Sequence, residues 1–481
     1  MVGRASNALA WGVANALAGR LGTVVIGIAL ARILGPAQFG TYAVALLALM
    51  AALSFNELGV SLAIVRWVGS PRAIAPTVAT VSVGASLALA VSGISLAPAL
   101  SRVLGDASAT GVIQVLFATV VVSGLVATPA ALLQREFRQR TRTYIDQSAI
   151  WVGAVVSIGL ALAGTGAMSL AVGRLVGVVT SCLLMVRAVP EGFRFGWDRS
   201  LLRPLLRFGL PLAGTSIVVF AIGFADQVVT TRVMGATALG FYVLAMNLAS
   251  WPLTVFSAPL RSVAPAAFAR LQLQPRLMGD TFVRVAGLVA AATLPVCLGI
   301  AGAATPLVLL VYGEPWAPAG DALLWLAVGV ACRLFFELAY DYLVVSGGTR
   351  RLLGLQVLWL LALVPALTFG ARWGIAGVAA AQVVVALVLV TPLHLALLRG
   401  RRVPVRRLVA ALRVPVLVSV AYGCGVWWTS RTVEQPLGAV GLAMLAGLLV
   451  VTGLLWSRRA VIRELRSTPS DELAHDAAGR P

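Results

Sequence analysis

The sequence predicts an all-α integral membrane protein with fourteen transmembrane helices: two pseudo-symmetric six-helix lobes followed by two extra C-terminal helices. Three observations predict it. The 481 residues are 60% hydrophobic and only 11% charged, with a mean hydropathy of +0.96; soluble chains carry roughly a quarter charged residues. Fourteen stretches stay apolar over about 20 residues, the length that crosses a bilayer. The connections between them alternate between arginine-rich and arginine-poor.

In order, the segments run over 8–31, 42–65, 75–97, 111–133, 144–164, 166–189, 209–231, 238–260, 283–305, 319–345, 352–371, 373–398, 414–430 and 436–457. The first could be mistaken for a secretion signal, but Asn15 and Arg20 interrupt its apolar run, so it reads as an uncleaved helix. All 37 basic residues are arginine. With the N-terminus cytoplasmic, 29 of them fall on the inner side. Five lie in outer loops (Arg32, Arg102, Arg232, Arg372 and Arg431) and three within spans (Arg20, Arg174 and Arg333). Every second loop then obeys the positive-inside rule, which places both termini in the cytoplasm. Four longer inner connections, QREFRQRTRTY, PEGFRFGWDRSLLRPLLRFG, ARLQLQPRLMGDTFVR and RGRRVPVRRLVAALRVP, mix arginine with Phe, Leu or Trp. Such segments lie at the surface of an anionic leaflet, and Phe193, Phe195, Trp197 and Leu201 are expected to face lipid.

Composition excludes several functions. Without lysine there is no Walker lysine for ATP phosphates and no Schiff base. The net charge of +20 reads as membrane orientation rather than nucleic-acid binding. His394 and His475 are isolated, and Cys182, Cys297, Cys332 and Cys424 stand singly in apolar segments, so neither metal nor disulfide spacing exists. No cofactor is implied. A membrane glycosyltransferase or polymerase would need acids on a sizeable outer loop; the first outer loop, LGPAQFG, has none, and Glu314 and Asp321 are the only acids between the ninth and tenth segments.

The segment LARILGPAQFGTYAVALLAL, residues 30–49, returns as TTRVMGATALGFYVLAMNLA, residues 230–249. At an offset of 200, Arg32, Gly35, Gly40, Tyr42 and Ala45 align with Arg232, Gly235, Gly240, Tyr242 and Ala245. Glycine allows the tight turn, Tyr sits at headgroup level, and Arg is placed to cap the end of the helix before it. A weaker echo pairs GAMSLAVGR from Gly166 with GIAGVAAAQ from Gly374. Both copies fall on the same side, so the repeat is parallel. It divides the chain into 1–205, the first lobe with its linker; 206–400, the second lobe; and 401–481, the last two helices and a polar tail.

These residues, with NELGVSLAIVR, LQREFRQRT and LVLLVYGEPWAPAG, resemble the bacterial polysaccharide-transporter family, which includes the Wzx-type oligosaccharide flippases. That family sits in the multidrug/oligosaccharidyl-lipid/polysaccharide exporter superfamily, beside MurJ and the MATE exporters. The resemblance spans residues 8 to 398. It implies two lobes around a central cavity that opens alternately to each side. The implied cargo is an oligosaccharide on undecaprenyl pyrophosphate, for a secondary transporter rather than an enzyme. The close alternatives are a peptidoglycan-precursor flippase of the MurJ kind and a MATE-like drug exporter. A monomer is expected, with lipid-linked oligosaccharide and anionic phospholipids as partners and the polymerase and glycosyltransferases as further candidates. Where many members carry Asp in an Asp-x-Gly motif, this chain has Glu57-Leu58-Gly59.

Charges inside spans are the candidate site. Each costs about 2.5–3.5 kcal/mol near the bilayer centre, so it belongs in a cavity or beside a partner. Arg20, Arg174 and Arg333 are candidates for a pyrophosphate, which guanidinium binds bidentately. Glu57, Asp226, Glu337 and Asp341 are candidates for a coupling proton or sodium ion. Arg333, Glu337 and Asp341 stand four residues apart on one helical stripe, where they can also neutralise one another. Asp226 can equally pair with Arg32 or Arg232 at the outer rim.

Overall fold

The computed structural model describes residues 2–56, 64, 71–252, 268, 274–347, 349–433, 435–461 and 463. All regular structure among them is helical. Among the described residues, eleven helical stretches are long and apolar enough to cross a membrane. Arg351–Arg399 takes in two of the apolar segments expected from the sequence, and Val24–Leu53 and Phe220–Ala249 each join parts of two across a bend.

The chain forms two compact units, Met1–Phe241 and Tyr242–Pro481. The first holds α1 (Val2–Asn56), α2 (Pro71–Val103), α3 (Thr110–Arg135), α4 (Gln139–Leu162) and α5 (Met168–Ala188), with most of α6 (Arg199–Ala249). Both α1 and α6 bend at a glycine whose backbone leaves the helical region: Gly35 at φ 69, ψ 175, and Gly235 at φ 83, ψ 178. A positive φ at these two points is what glycine permits and other residues resist.

Small residues bring helices of the first unit together. A Cβ added to Gly153 of α4 would lie 2.7 Å from the Gly173 carbonyl oxygen of α5, and one on Gly177 would lie 2.8 Å from the Ala149 oxygen. Such close backbone approach suits helices in lipid, where association depends on packing rather than on expelling water. At the arginine-rich end, Ile74, Val78, Leu132, Leu133, Ile145 and Met185 form a buried cluster. Phe193 and Leu201 pack in part against that cluster rather than standing wholly outward as the sequence suggested, while Phe195 and Trp197 are exposed. The reason is local. Residues 194–198 run along α2, held by hydrogen bonds from Thr80 Oγ1 to the Gly196 carbonyl (2.8 Å) and from the Asp198 amide to Thr77 Oγ1 (3.2 Å).

The second unit holds α7 (Pro275–Gly302), α8 (Ala304–Tyr312), α9 (Ala319–Val345), α10 (Thr349–Gly370) and α11 (Gly374–Val385). A π-helical stretch, Ala386–Val390, leads into α12 (Thr391–Arg399), followed by α13 (Val405–Thr432) and α14 (Pro436–Ser457). Phe268, Phe282 and Tyr342 pack together at its arginine-rich end, with Tyr342 edge-on to Phe268 at 5.5 Å and tilted against Phe282 at 5.0 Å. The Tyr342 hydroxyl donates to the Arg401 carbonyl at 3.0 Å. His394 is buried, stacked 4.8 Å from Phe336, with Nδ1 2.9 Å from the Val390 carbonyl oxygen. All four cysteines are free. The last two helices lie on α7, where Gly299, Gly302 and Gly423 admit the neighbouring chain.

Gly177→Leu is expected to destabilise the first unit by about 1–3 kcal/mol, because the added side chain meets the α4 backbone. Gly159→Ala, with open space around it, is expected to be neutral or mildly stabilising. Thermal melting of the purified protein in detergent checks both; equal melting temperatures for Gly177→Leu and the parent would contradict the packing account.

Candidate functional site

The two repeated segments meet at one end of the first unit. A Cβ on Gly240 would lie 2.6 Å from the Pro36 carbonyl oxygen and 3.1 Å from the Gly40 Cα. A Cβ on Gly40 would collide with the Ala236 carbonyl. The pairs Gly40–Ala236 and Gly240–Pro36 exchange under the offset of 200, so the contact is reciprocal, as across a two-fold axis. Tyr242, Leu244 and Ala245, just beyond the second bend, are fully buried, as are Val44 and Ala45 beyond the first.

Other groups tie this crossing to its surroundings. Thr231 Oγ1 donates to the Leu104 carbonyl at 2.8 Å, and the Arg232 guanidinium donates to the Val103 carbonyl. Arg232 therefore caps the end of α2, not the helix before it as the sequence reading supposed. The bend at Gly235 follows three residues later and brings that foreign helix end within reach. Gln38, at the first bend, accepts a hydrogen bond from the Ala167 amide at 3.0 Å and so caps α5. The Thr41 and Ser108 hydroxyls lie 3.5 Å apart. Three further arginines of the arginine-poor connections also fold back: Arg102 Nε onto the Pro98 carbonyl (2.9 Å), Arg372 over Phe369 (5.2 Å) and Arg431 over Trp427 (3.8 Å).

The intramembrane charges separate into distinct environments. Asp226 in α6 is 1% exposed, and its Oδ1 accepts from the Gln227 amide at 2.8 Å. Arg174 in α5 is exposed. At about 100° per residue, the exposed Val179, Leu183 and Val186 lie roughly 120–180° around the helix from it, whereas the buried Ala171, Gly177 and Met185 lie within about 60°. Arg174 thus stands on the inward side of α5, away from its apolar outer face. In the second unit, Arg333 Nε lies 3.5 Å from Glu337 Oε1, with side chains 59% and 18% exposed. The sequence stripe is realised there, with Asp341 one turn further along α9 and half-buried. Arg333 shares the exposed side of α9 with Tyr340 and Val344. Glu57 and the Arg20 side chain lie outside the described residues.

Sequence reasoning missed Gln38, Thr231 and the turn at Leu104. Their partners lie more than a hundred residues away, and a polar side chain near a bend carries no local mark of the helix it will cap.

A family profile described as "Polysaccharide biosynthesis protein" matches residues 29–321. The chain is 27% identical over 301 residues to the "Lipopolysaccharide biosynthesis protein WzxC" of Escherichia coli (strain K12), covering 61% of each chain. It is 26% identical over 304 residues to the "Succinoglycan biosynthesis transport protein ExoT" of Rhizobium meliloti (strain 1021), covering 62% of this chain and 60% of that one. The match thus spans about three fifths of these relatives' length. Among solved structures, "Lipid II flippase MurJ, inward closed conformation" superposes with a TM-score of 0.76 at 12% identity, over 94% of this chain and all of that one. This likeness concerns the fold.

Gly40→Val and Gly240→Val are each expected to force the two bends apart. A cysteine placed at Leu239, which is 0% exposed, should then react several-fold faster with a membrane-impermeant maleimide. Gly27→Val, with nothing near it, serves as the control. Labelling that stays at the parent rate in both variants would show that the crossing does not hold this end closed.

Proposed function

We propose that the chain, which belongs to the polysaccharide biosynthesis protein family, a branch of the exporter superfamily that includes MurJ, is a flippase: it carries an undecaprenyl-pyrophosphate-linked oligosaccharide across the bacterial cytoplasmic membrane by alternating access, for assembly of a cell-surface polysaccharide. The reading includes fourteen crossings with both termini cytoplasmic, each of the three doubled helical stretches counting as two. Relatives named for lipopolysaccharide biosynthesis and for succinoglycan transport support the polysaccharide class of cargo.

The observation that carries the reading is Arg174, an exposed guanidinium on the inward side of an apolar helix. Such a charge is costly in lipid and useful where it meets an anion. A pyrophosphate offers paired oxygens that match the planar fork of arginine. Arg20 on α1 and Arg333 on α9 are the further contacts in this reading, and Arg333 becomes available by exchanging Glu337 for the substrate. Released or protonated in turn, Glu337, Asp341, Asp226 and Glu57 supply sites for a proton or sodium ion whose downhill movement resets the carrier. Cargo shifts the conformational balance only by binding one state better than the other. In this mechanism the crossing at Gly40 and Gly240 must part before the cargo leaves on the outer side.

Arg174→Ala is expected to lower transport about tenfold or more, and Arg174→Lys nearly as much, because lysine keeps the charge but loses the bidentate fork. The measurement is accumulation of lipid-linked oligosaccharide on the inner leaflet, with membrane expression of each variant confirmed. The same pair at Arg20 tests its role separately. Normal transport by well-expressed Arg174→Ala and Arg20→Ala would remove the arginine-pyrophosphate mechanism.

A further inference from the structure

Among the described residues, two that are not glycine hold a left-handed backbone: Phe137 (φ 55) and Arg402 (φ 66). Both occupy the same position in the same kind of helix stop. After α3, the Phe137 amide donates to the Gln134 carbonyl (3.3 Å) and the Arg138 amide to Leu133 (3.0 Å). After α12, the Arg402 amide donates to Arg399 (3.2 Å) and the Val403 amide to Leu398 (3.1 Å). Glycine is the usual residue there, because a Cβ crowds the neighbouring carbonyl. This chain itself uses glycine in the equivalent turns after α2 and α4, where Gly105 (φ 85) and Gly164 (φ 82) make the same pair of bonds. Those two turns lie at the arginine-poor end, whereas Phe137 and Arg402 lie in arginine-rich connections.

Packing does not explain the exceptions. Phe137 is 69% exposed, and Arg402 is exposed too. Each strained backbone is instead held from outside. Beside Phe137, Glu136 pairs with Arg72 (3.2 Å) and Arg138 (3.8 Å), and Arg72 also pairs with Glu191 (3.1 Å). Beside Arg402, the Arg401 guanidinium donates to the Ser346 and Gly347 carbonyls, and buried Val403 anchors the next residue. Strain that neighbours enforce while the side chain points outward indicates a use for that side chain.

The surroundings indicate which use. The arginine-rich end of the first unit exposes Tyr144, Phe195 and Trp197 alongside Arg138, Arg140 and Arg194, with Arg140 5.7 Å above the Tyr144 ring. In the second unit, Arg399, Arg406 and Arg407 are exposed around the Arg402 turn. Aromatic rings and arginines together fit the headgroup depth of a leaflet, and the positive charge selects an anionic one. We propose that Phe137 and Arg402 are contacts for anionic phospholipid: the Phe137 ring inserts among the headgroups, and the Arg402 guanidinium binds a lipid phosphate. Each contact requires only that the chain is embedded in a membrane and does not depend on its cargo.

The test uses the full chain in detergent, melted alone and with added phosphatidylglycerol or phosphatidylcholine. Phe137→Gly and Arg402→Gly place the usual residue in each turn, so both should melt at or above the parent temperature without lipid. Phosphatidylglycerol should raise the Tm of the parent more than phosphatidylcholine does. Phe137→Gly should gain less from both lipids. Arg402→Gly should show a smaller excess due to phosphatidylglycerol than the parent, the share carried by its charge. Lower melting of a variant without lipid would mean that the side chain serves the fold, and would overturn the proposal for that residue. A lipid response equal to that of the parent would overturn it as well, and would leave the surface to a soluble protein partner.

Discussion

Two glycines without side chains let two bends touch backbone to backbone, and the organisation of the first unit follows from that contact. At Gly40 and Gly240 a single methyl group cannot be accommodated. Because the approach is reciprocal, it requires glycine at both members of the repeat. Around it, Gln38 caps α5, while Thr231 and Arg232 close the carboxyl end of α2. Each bond satisfies a backbone group at a helix end that has no partner within its own helix. The crossing is thus the point at which four helices of this unit are fastened together.

A second constraint is the cost of charge in an apolar medium. It explains why arginines at the arginine-poor end fold onto carbonyls or aromatic rings. It explains why Arg333 lies against Glu337 one helical turn away. It also gives Arg174 its significance, since that residue stands exposed on the side of α5 that turns away from the apolar face. The flippase reading assigns the anion of the cargo to this position and the coupling charge to the acids of α6 and α9.

Much of the architecture was legible in the sequence because its causes are local. Apolar length and the alternation of arginine gave helices and their ends. The match of Gly35, Gly40 and Tyr42 with Gly235, Gly240 and Tyr242 marked the repeated bend. Spacing of four residues placed Arg333, Glu337 and Asp341 on one stripe. What the sequence did not reveal depends on partners distant along the chain. That Arg232 would cap α2, that Gln38 would cap α5, and that Phe193 and Leu201 would pack in part against a buried cluster are consequences of how separate helices meet. The left-handed turns at Phe137 and Arg402 were hidden for a different reason: the signal for such a turn is glycine, and glycine is missing there.

The central claim is that the crossing of the two bends closes one side of a carrier and parts during its cycle. The most direct measurement is the distance between spin labels at Phe39 and Leu239, in a cysteine-free background reconstituted in lipid, with and without lipid-linked oligosaccharide. The account predicts a short-distance population matching the closed crossing and a second, longer one whose share changes when cargo is added. A single short distance, unchanged by cargo in a preparation that transports it, would contradict it.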